Sequence, residues 1–379
     1  MGPLAGVRVV EVSSIGPGPF CGMMLADMGA DVIAVDRDKR ARASEEPLDR
    51  NRYRLMLDLK SEAGREALLQ LIERADVVFE GYRPGVAERL GFGPDVCLQR
   101  NPRLVYGRMT GWGQHGPLAK AAGHDINYIA LSGVLHAIGR RDHKPTPPLN
   151  LIGDFGGGGM LLAFGIMCAL FEAQRTGRGQ VVDAAMIDGS IALMAMCIGM
   201  QQRGVSADKV GTHLFSGAAH YYDTYETRDG KFISIGALEP QFYALLIEKA
   251  GLDQQTFGAT GMAGPVGLDD GVWADMKTKM ADVFRQRTRD EWCALLEGTD
   301  ACFAPVLTLS EAPDHPHHQA REAFVKVAGK IQNAPAPRFS RTPAAAPRSS
   351  CADRSELETL LGRWGYAPAD VTTILAAGT

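Results

Sequence analysis

The segment 7–36 constrains this chain most. Residues 7–12 (VRVVEV) form a near-continuous β-branched run, the pattern of a strand covered on both faces. A turn follows (SSIGPGP), then a short apolar helix over about 20–28 closed by Gly29, then a second strand at 31–36 (DVIAVD). Strand, helix and strand at this spacing make a βαβ unit and imply a parallel sheet. The alternation continues with a helix over 61–74 and strands at 76–80 and 103–109. The fold class is therefore α/β, with a Rossmann-like sheet domain in the first part of the chain.

Glycines 156–159 precede a long apolar helix that Thr176-Gly177 ends, 181–185 reads as another strand, and a Met- and Ala-rich helix spans 188–202. After 203–216 the texture changes. Strands at 221–226 and 231–235 meet at Asp229-Gly230, a strong hairpin signal, and amphipathic helices follow at 241–250, 273–286 and 289–296. The proline-rich stretch 334–347 (APAPRFSRTPAAAP) reads as extended, and 355–364 as a last helix. The division that follows is 1–186 with 319–379 as a large Rossmann-like domain, 217–314 as a smaller α+β domain, and 187–216 and 315–330 as linkers.

Composition excludes several functions. Lys+Arg 40 against Asp+Glu 44 leaves a net charge of −4, which argues against a nucleic-acid binder. The seven cysteines are scattered with no C-x-x-C pair, so neither a zinc site nor a disulfide framework is indicated, and a reducing compartment is. The apolar runs 160–171 and 191–200 fall short of the roughly 18 residues that a spanning helix needs, so no membrane partner is expected. The start of the chain opens on a strand pattern rather than a leader, and its end matches no peroxisomal address. A soluble cytoplasmic protein is the expectation.

Six features bear on chemistry. Gly16 and Gly18, with an acid ending the second strand, imitate a dinucleotide fingerprint, but position 21 is Cys21, and Pro17 and Pro19 lack the N–H groups a pyrophosphate needs. His124 beside Asp125 is either a structural pair or a catalytic one. Asp154, ahead of the glycine run, fits a helix N-cap; four glycines also suit a backbone that a ligand approaches closely, where a carboxylate serves as base or nucleophile. Glu239 before Pro240 marks a helix start. The basic residues Arg37, Arg52, Arg54, Lys60, Arg83 and Arg89 read by default as isolated surface charges, and His315, His317 and His318 as a solvent-exposed turn without metal-ligand spacing.

Taken together, Ile15-Gly16-Pro17-Gly18-Pro19, Glu80-Gly81-Tyr82-Arg83-Pro84-Gly85-Val86, Met109-Thr110-Gly111-Trp112-Gly113-Gln114, Gly123-His124-Asp125-Ile126-Asn127-Tyr128, Gly153-Asp154-Phe155-Gly156-Gly157-Gly158, Asp223-Thr224-Tyr225 and Glu239-Pro240-Gln241-Phe242-Tyr243 resemble the α-methylacyl-CoA racemases of the family III CoA-transferase superfamily. The resemblance covers essentially the whole chain. It implies that family's fold and an interlocked homodimer, and 1,1-proton transfer at the carbon α to a thioester, inverting a 2-methylacyl-CoA. It implies His124 and Asp154 as acid/base groups on opposite faces, Glu239 as the partner of His124 across subunits, and the Asp125 amide as donor to the thioester oxygen. It places CoA on Arg37, Lys60, Arg83 and Arg89, with no cofactor beyond the CoA of the substrate and no metal. A flexible Met-rich surface suits an acyl chain, and Met194, Met196 and Met200 are candidates.

Three rivals make different predictions. A family III CoA-transferase would use Asp154 as a nucleophile and has no need of the His124–Glu239 pair. A non-catalytic CoA-binding protein would bind CoA without α-proton exchange. A dehydrogenase would bind NAD(P).

Overall fold

The computed structural model describes residues 2–12, 15–36, 46–258 and 270–378. By their contacts they form two compact units. The first comprises Met1–Ser132, Leu149–Leu193 and Ala320–Thr379, and the second Gly133–Pro148 and Met194–Gln319. The sequence reading carried the first region unbroken to 186. Instead 133–148 leaves it, and Arg140 in that stretch pairs with Asp223 and Thr224 of the second unit.

The first unit is built on β1 (Arg8–Val12), β2 (Asp31–Asp36), β3 (Tyr53–Met56), β4 (Val77–Glu80), β5 (Val105–Thr110) and β6 (Gln180–Ala185). All neighbouring pairs are parallel, in the order β3-β2-β1-β4-β5-β6. This is the doubly wound order, and it reverses direction between β1 and β4. The two-residue period sorts the apolar side chains. Val10, Val12, Ile33, Val35 and Val78 face a core shared with the Glu62–Arg74, Arg354–Arg363 and Pro368–Ala376 helices. Val9, Val32, Val77, Phe79 and Val105 face the other core, shared with the Pro17–Asp27 and Leu161–Thr176 helices.

Several expectations are corrected. The first helix begins at Pro17, not near 20, because a proline at the first helical position loses no hydrogen bond. The Met-rich helix is two, Met186–Leu193 and Ala195–Gln202, parted at Met194. Arg354–Arg363 is followed by a further helix, Pro368–Ala376.

Strand β3 is absent from the sequence reading, and the reason is chemical. Arg52 and Arg54 are buried ion-pair members rather than surface charges. Arg52 pairs with Glu11 and Asp49, and Arg54 with Asp36 and Asp49. Arg50, 1% exposed, pairs with Asp27 and donates to the Asn333 carbonyl at 2.7 Å. A run that looks solvated is neutralised from three sides, so it can enter the sheet.

The helical run 151–176 has the length and apolar composition of a membrane-crossing segment, with a hydropathy of 1.6 over its richest window, yet 44% of that window is buried inside the protein. Leu162, Ala163, Ile166, Ala169 and Leu170 lie in the sheet core, as a core helix places them.

The second unit carries an antiparallel sheet of β7 (Tyr222–Glu226), β8 (Phe232–Gly236) and β9 (Phe303–Val306). Its hairpin turn holds Gly230 at φ 71, the left-handed conformation that glycine takes at little cost. The Pro240–Ala250, Asp270–Phe284 and Arg289–Leu296 helices close its core around Tyr221, Tyr243, Phe284 and Trp292. A last hairpin, β10 (Phe324–Val327) with β11 (Lys330–Asn333), belongs to the first unit.

Candidate active site

In an open parallel sheet, ligands bind beyond the carboxyl ends of the strands where the strand order reverses. Here a cleft of about 350 Å³ opens at that place. Its lining joins pieces of four quoted segments: Ile15 and Pro17 after β1, Gly81–Pro84 after β4, Met109–Trp112 at the end of β5, and Gly123, His124 and Tyr128.

His124 is the N-cap residue of the Asp125–Leu131 helix, and its backbone N–H donates to Asn127 Oδ1 at 3.0 Å. Its ring is exposed at the cleft. Tyr128, one turn on, fixes the approach to this cap. The Tyr128 hydroxyl donates to the Gly123 carbonyl, and its ring meets Trp112 edge-on at 4.8 Å between centroids. A Cβ on Gly111 would lie 2.1 Å from the Tyr128 ring, so only glycine lets the ring seat there. Burial, then the Asp154 charge, pushes the Tyr128 phenol up, and Arg83 opposes both.

Asp154 is not an N-cap. It lies inside a ten-residue π-helix, Leu151–Met160, that runs directly into the Leu161–Thr176 helix, and its N-cap is Asn150. π-helical turns are rare and frequently functional. The glycines that sequence reading gave to a turn at a ligand serve close packing instead. A Cβ on Gly157 would lie 2.7 Å from the Ser190 nitrogen; one on Gly159 would lie 2.6 Å from the Pro17 carbonyl. Two helices therefore dock on the glycine face, and the Gly16 turn comes to Asp154: a Cβ on Gly16 would lie 3.2 Å from Asp154 Oδ2.

One residue near Asp154, and one side-chain role of a residue already singled out, escaped the sequence reading. Asn150 donates from Nδ2 to Asp154 Oδ2 at 3.1 Å. The Asp125 carboxylate accepts the Asp154 backbone N–H at 2.8 Å. An acid one position after a cap residue, and an amide four positions before a second acid, were the available signals. Asp125 is buried, and burial, with the nearby Asp154 charge, raises its carboxyl above the usual range. Behind the 81–84 turn, Glu80 accepts the Tyr82 N–H, and burial pushes its carboxyl up to about 7.

The remaining candidates fall as follows. Arg83 lines the cleft, and Arg89 ends the Val86–Arg89 turn just beyond it. Lys60, exposed, precedes the Ser61 cap of the Glu62–Arg74 helix beyond β3. Arg37 lies outside the described residues, next after the last residue of β2. Glu239 belongs to the second unit, exposed at the N-cap of the Pro240–Ala250 helix with no capping bond from its side chain. Met196 is exposed, whereas Met200 is buried and is no open surface. His315 pairs with Glu297 at 2.8 Å, and His318 Nδ1 lies 2.7 Å from the Ala312 carbonyl.

A doubly wound sheet with a capping histidine at its switch-point cleft, and a π-helical aspartate whose backbone is tied to the residue after that histidine, defines a class. The chain belongs to the CoA-transferase family III, whose family profile it matches over residues 4–351. Within that class it is 47% identical over 342 residues to an alpha-methylacyl-CoA racemase of Mus musculus, spanning 90% of this chain and 87% of that one. It is 45% identical to the Homo sapiens protein of the same name, with the same coverage. In fold it is similar to the crystal structure of a CAIB/BAIF family protein from Brucella suis, with a TM-score of 0.81 at 24% identity, covering 96% of this chain and 99% of that one.

Proposed function

We propose that this chain is a racemase that interconverts (R)- and (S)-2-methylacyl-CoA thioesters by 1,1-proton transfer through an enolate. Identity of 45–47% over 90% of the chain to two proteins named alpha-methylacyl-CoA racemase supports it. The structural observation that carries it is the hydrogen bond from the Asp154 backbone to Asp125, the residue next to the cleft-lining His124, which ties the two segments together.

In the proposed reaction, His124 removes the α-proton from one enantiomer. The C–H electron pair moves into the thioester carbonyl as an enolate. Protonated Asp154 then delivers its proton to the opposite face of the same carbon. The reverse direction starts with the two protonation states exchanged. Positioned acid/base groups of this kind contribute about 10²- to 10⁴-fold each. Asp125 stands at the first position of its helix, where the N–H has no intrahelical partner, so this amide is suited to the enolate oxygen. By resemblance, Glu239 of a partner subunit would orient His124 and stabilise its imidazolium. Arg83, Arg89, Lys60 and Arg37 would meet the CoA phosphates. No cofactor beyond the CoA of the substrate enters this scheme.

A homodimer is part of the proposal. Met160, Phe164, Met167 and Phe171 are spaced along one side of the 151–176 helical run and all are exposed, up to 67% at Phe164. A stripe of that size on one face is characteristic of an interface. All seven cysteines are unpaired, which suits a cytoplasmic location.

The test is NMR of one enantiomer of a 2-methylacyl-CoA with the protein in D₂O. The expected result is α-deuterium together with loss of enantiomeric purity. CoA exchange into added free acid, with neither change, would make Asp154 the nucleophile of a transferase.

A further inference from the structure

The first amides of a π-helix have no intrahelical acceptor, because each bond reaches five residues back. In the 151–160 helix, one of these orphan donors, at Asp154, is met by a side chain from outside the helix: the Asp125 carboxylate. Asp125 is buried, and its other oxygen, Oδ1, has no hydrogen-bond partner among the described residues, so the side chain is committed to the π-helix. The contact is also sterically reserved. A Cβ on Gly153 would lie 2.5 Å from Asp125 Oδ2, so any larger residue there would push the carboxylate off the Asp154 amide.

We propose that the Asp125 side chain is a positioning residue that caps the π-helix from outside and so sets Asp154 in register with His124. The inference rests on the proposed racemase reading, and it is separate from the suggested role of the Asp125 backbone N–H. Because Asp125 directly follows His124, one residue fixes both acid/base groups: its backbone continues the turn that carries the ring, and its carboxylate holds the backbone that carries the second acid. A capping bond of an ionised side chain to backbone N–H groups is among the stronger hydrogen bonds. Loss of it would leave both groups present and their spacing loose. Both proton transfers depend on that spacing, whereas binding of the CoA moiety, proposed above to rest on basic side chains, does not.

The experiment compares the full-length wild type with Asp125→Ala, Asp125→Asn and Gly153→Ala. It reads kcat and KM for racemisation of one enantiomer and amide hydrogen exchange of the 150–160 peptide. Asp125→Ala should lower kcat about 100-fold, the effect of roughly 1 Å of misplacement, with KM moving less than about threefold. Gly153→Ala, which displaces the carboxylate without altering it, should reproduce that loss. Asp125→Asn keeps a carbonyl acceptor and should recover kcat to within about tenfold of wild type. Exchange at 150–160 should accelerate in the two alanine variants alone. Wild-type kcat in Asp125→Ala, a change in KM without one in kcat, or an Asn variant as damaged as the Ala variant each overturns the proposal. If Asp125→Ala does not fold, Gly153→Ala decides. If the wild type shows no α-proton exchange, the racemase reading falls, and the capping role is still read from exchange at 150–160.

Discussion

Two histidines, one in each unit, sit in opposite surroundings. His124 caps a helix at the switch-point cleft, its ring exposed. His220 is fully buried in the second unit, its Nε2 2.9 Å from the Tyr243 hydroxyl and its ring edge-on to Tyr221. Burial, with Lys277 adding repulsion, pushes His220 down from 6.5 to about 4. One ring is exposed and faces a cleft. The other is held neutral as a polar part of a core. Each is followed within four positions by an acid and a tyrosine, so residue type separates them poorly. Access separates them well.

The largest test of that contrast is on activity. His124→Ala should lower racemisation by about 10²- to 10⁴-fold, and Asp154→Ala by a similar factor. Being exposed, His124 should cost less than about 0.5 kcal/mol of stability when removed. A matched pair of initial rates and urea midpoints reads both quantities. Near-normal turnover in either variant would break the two-base scheme.

The next effect is on stability against pH, and it belongs to His220. Its folded value lies below its unfolded one, so between 6.5 and 4 the unfolded state binds more protons. Stability from this group is complete above 6.5 and is lost as pH falls toward 4, by about 3 kcal/mol in all. His220→Phe removes the titration and leaves Tyr243 its bond to the Phe257 carbonyl at 3.2 Å. Urea midpoints measured between pH 7.5 and 4 should therefore fall more steeply for wild type than for this variant. Parallel curves would mean that His220 does not titrate in that window. Smaller again, His220→Ala should cost about 2 kcal/mol through a cavity and a lost hydrogen bond, with turnover per folded molecule unchanged.

The same contrast between pattern and access governs what the sequence made legible. Strands β1 and β2 are apolar runs, and burial on both faces leaves such runs no other reading. Strand β3 was hidden because Arg52 and Arg54 are neutralised by Glu11 and Asp36 from distant parts of the chain, with nearby Asp49 completing the pairing. His124 and Asp154 were legible through motif order, not through local chemistry. The π-helix was not, since no side-chain period announces an i→i+5 ladder, and the glycines that permit it look like a turn. Asn150 and the Asp125 carboxylate were missed for the same reason. The Asp125 carboxylate finds its partner only through the fold, with |i−j| of 29 for the bond to Asp154, and Asn150 reaches Asp154 only once the π-helix has formed.

The smallest expected effect concerns the cationic candidates, and it sharpens the contrast within one edge of one unit. Arg83 lines the cleft together with His124, whereas Lys60 stands exposed beyond β3. If the CoA moiety lies along this edge, both side chains contribute to binding and neither touches the proton transfer. Arg83→Ala should then raise KM for the acyl-CoA about tenfold and Lys60→Ala about threefold, with kcat unchanged, as for loss of uniform binding. Raising the salt concentration should narrow both gaps, since exposed charges are screened over about 10 Å at 0.1 M. A fall in kcat in Arg83→Ala would move that residue from phosphate binding to the acid/base cluster, where its opposing effect on Tyr128 already places its charge within reach.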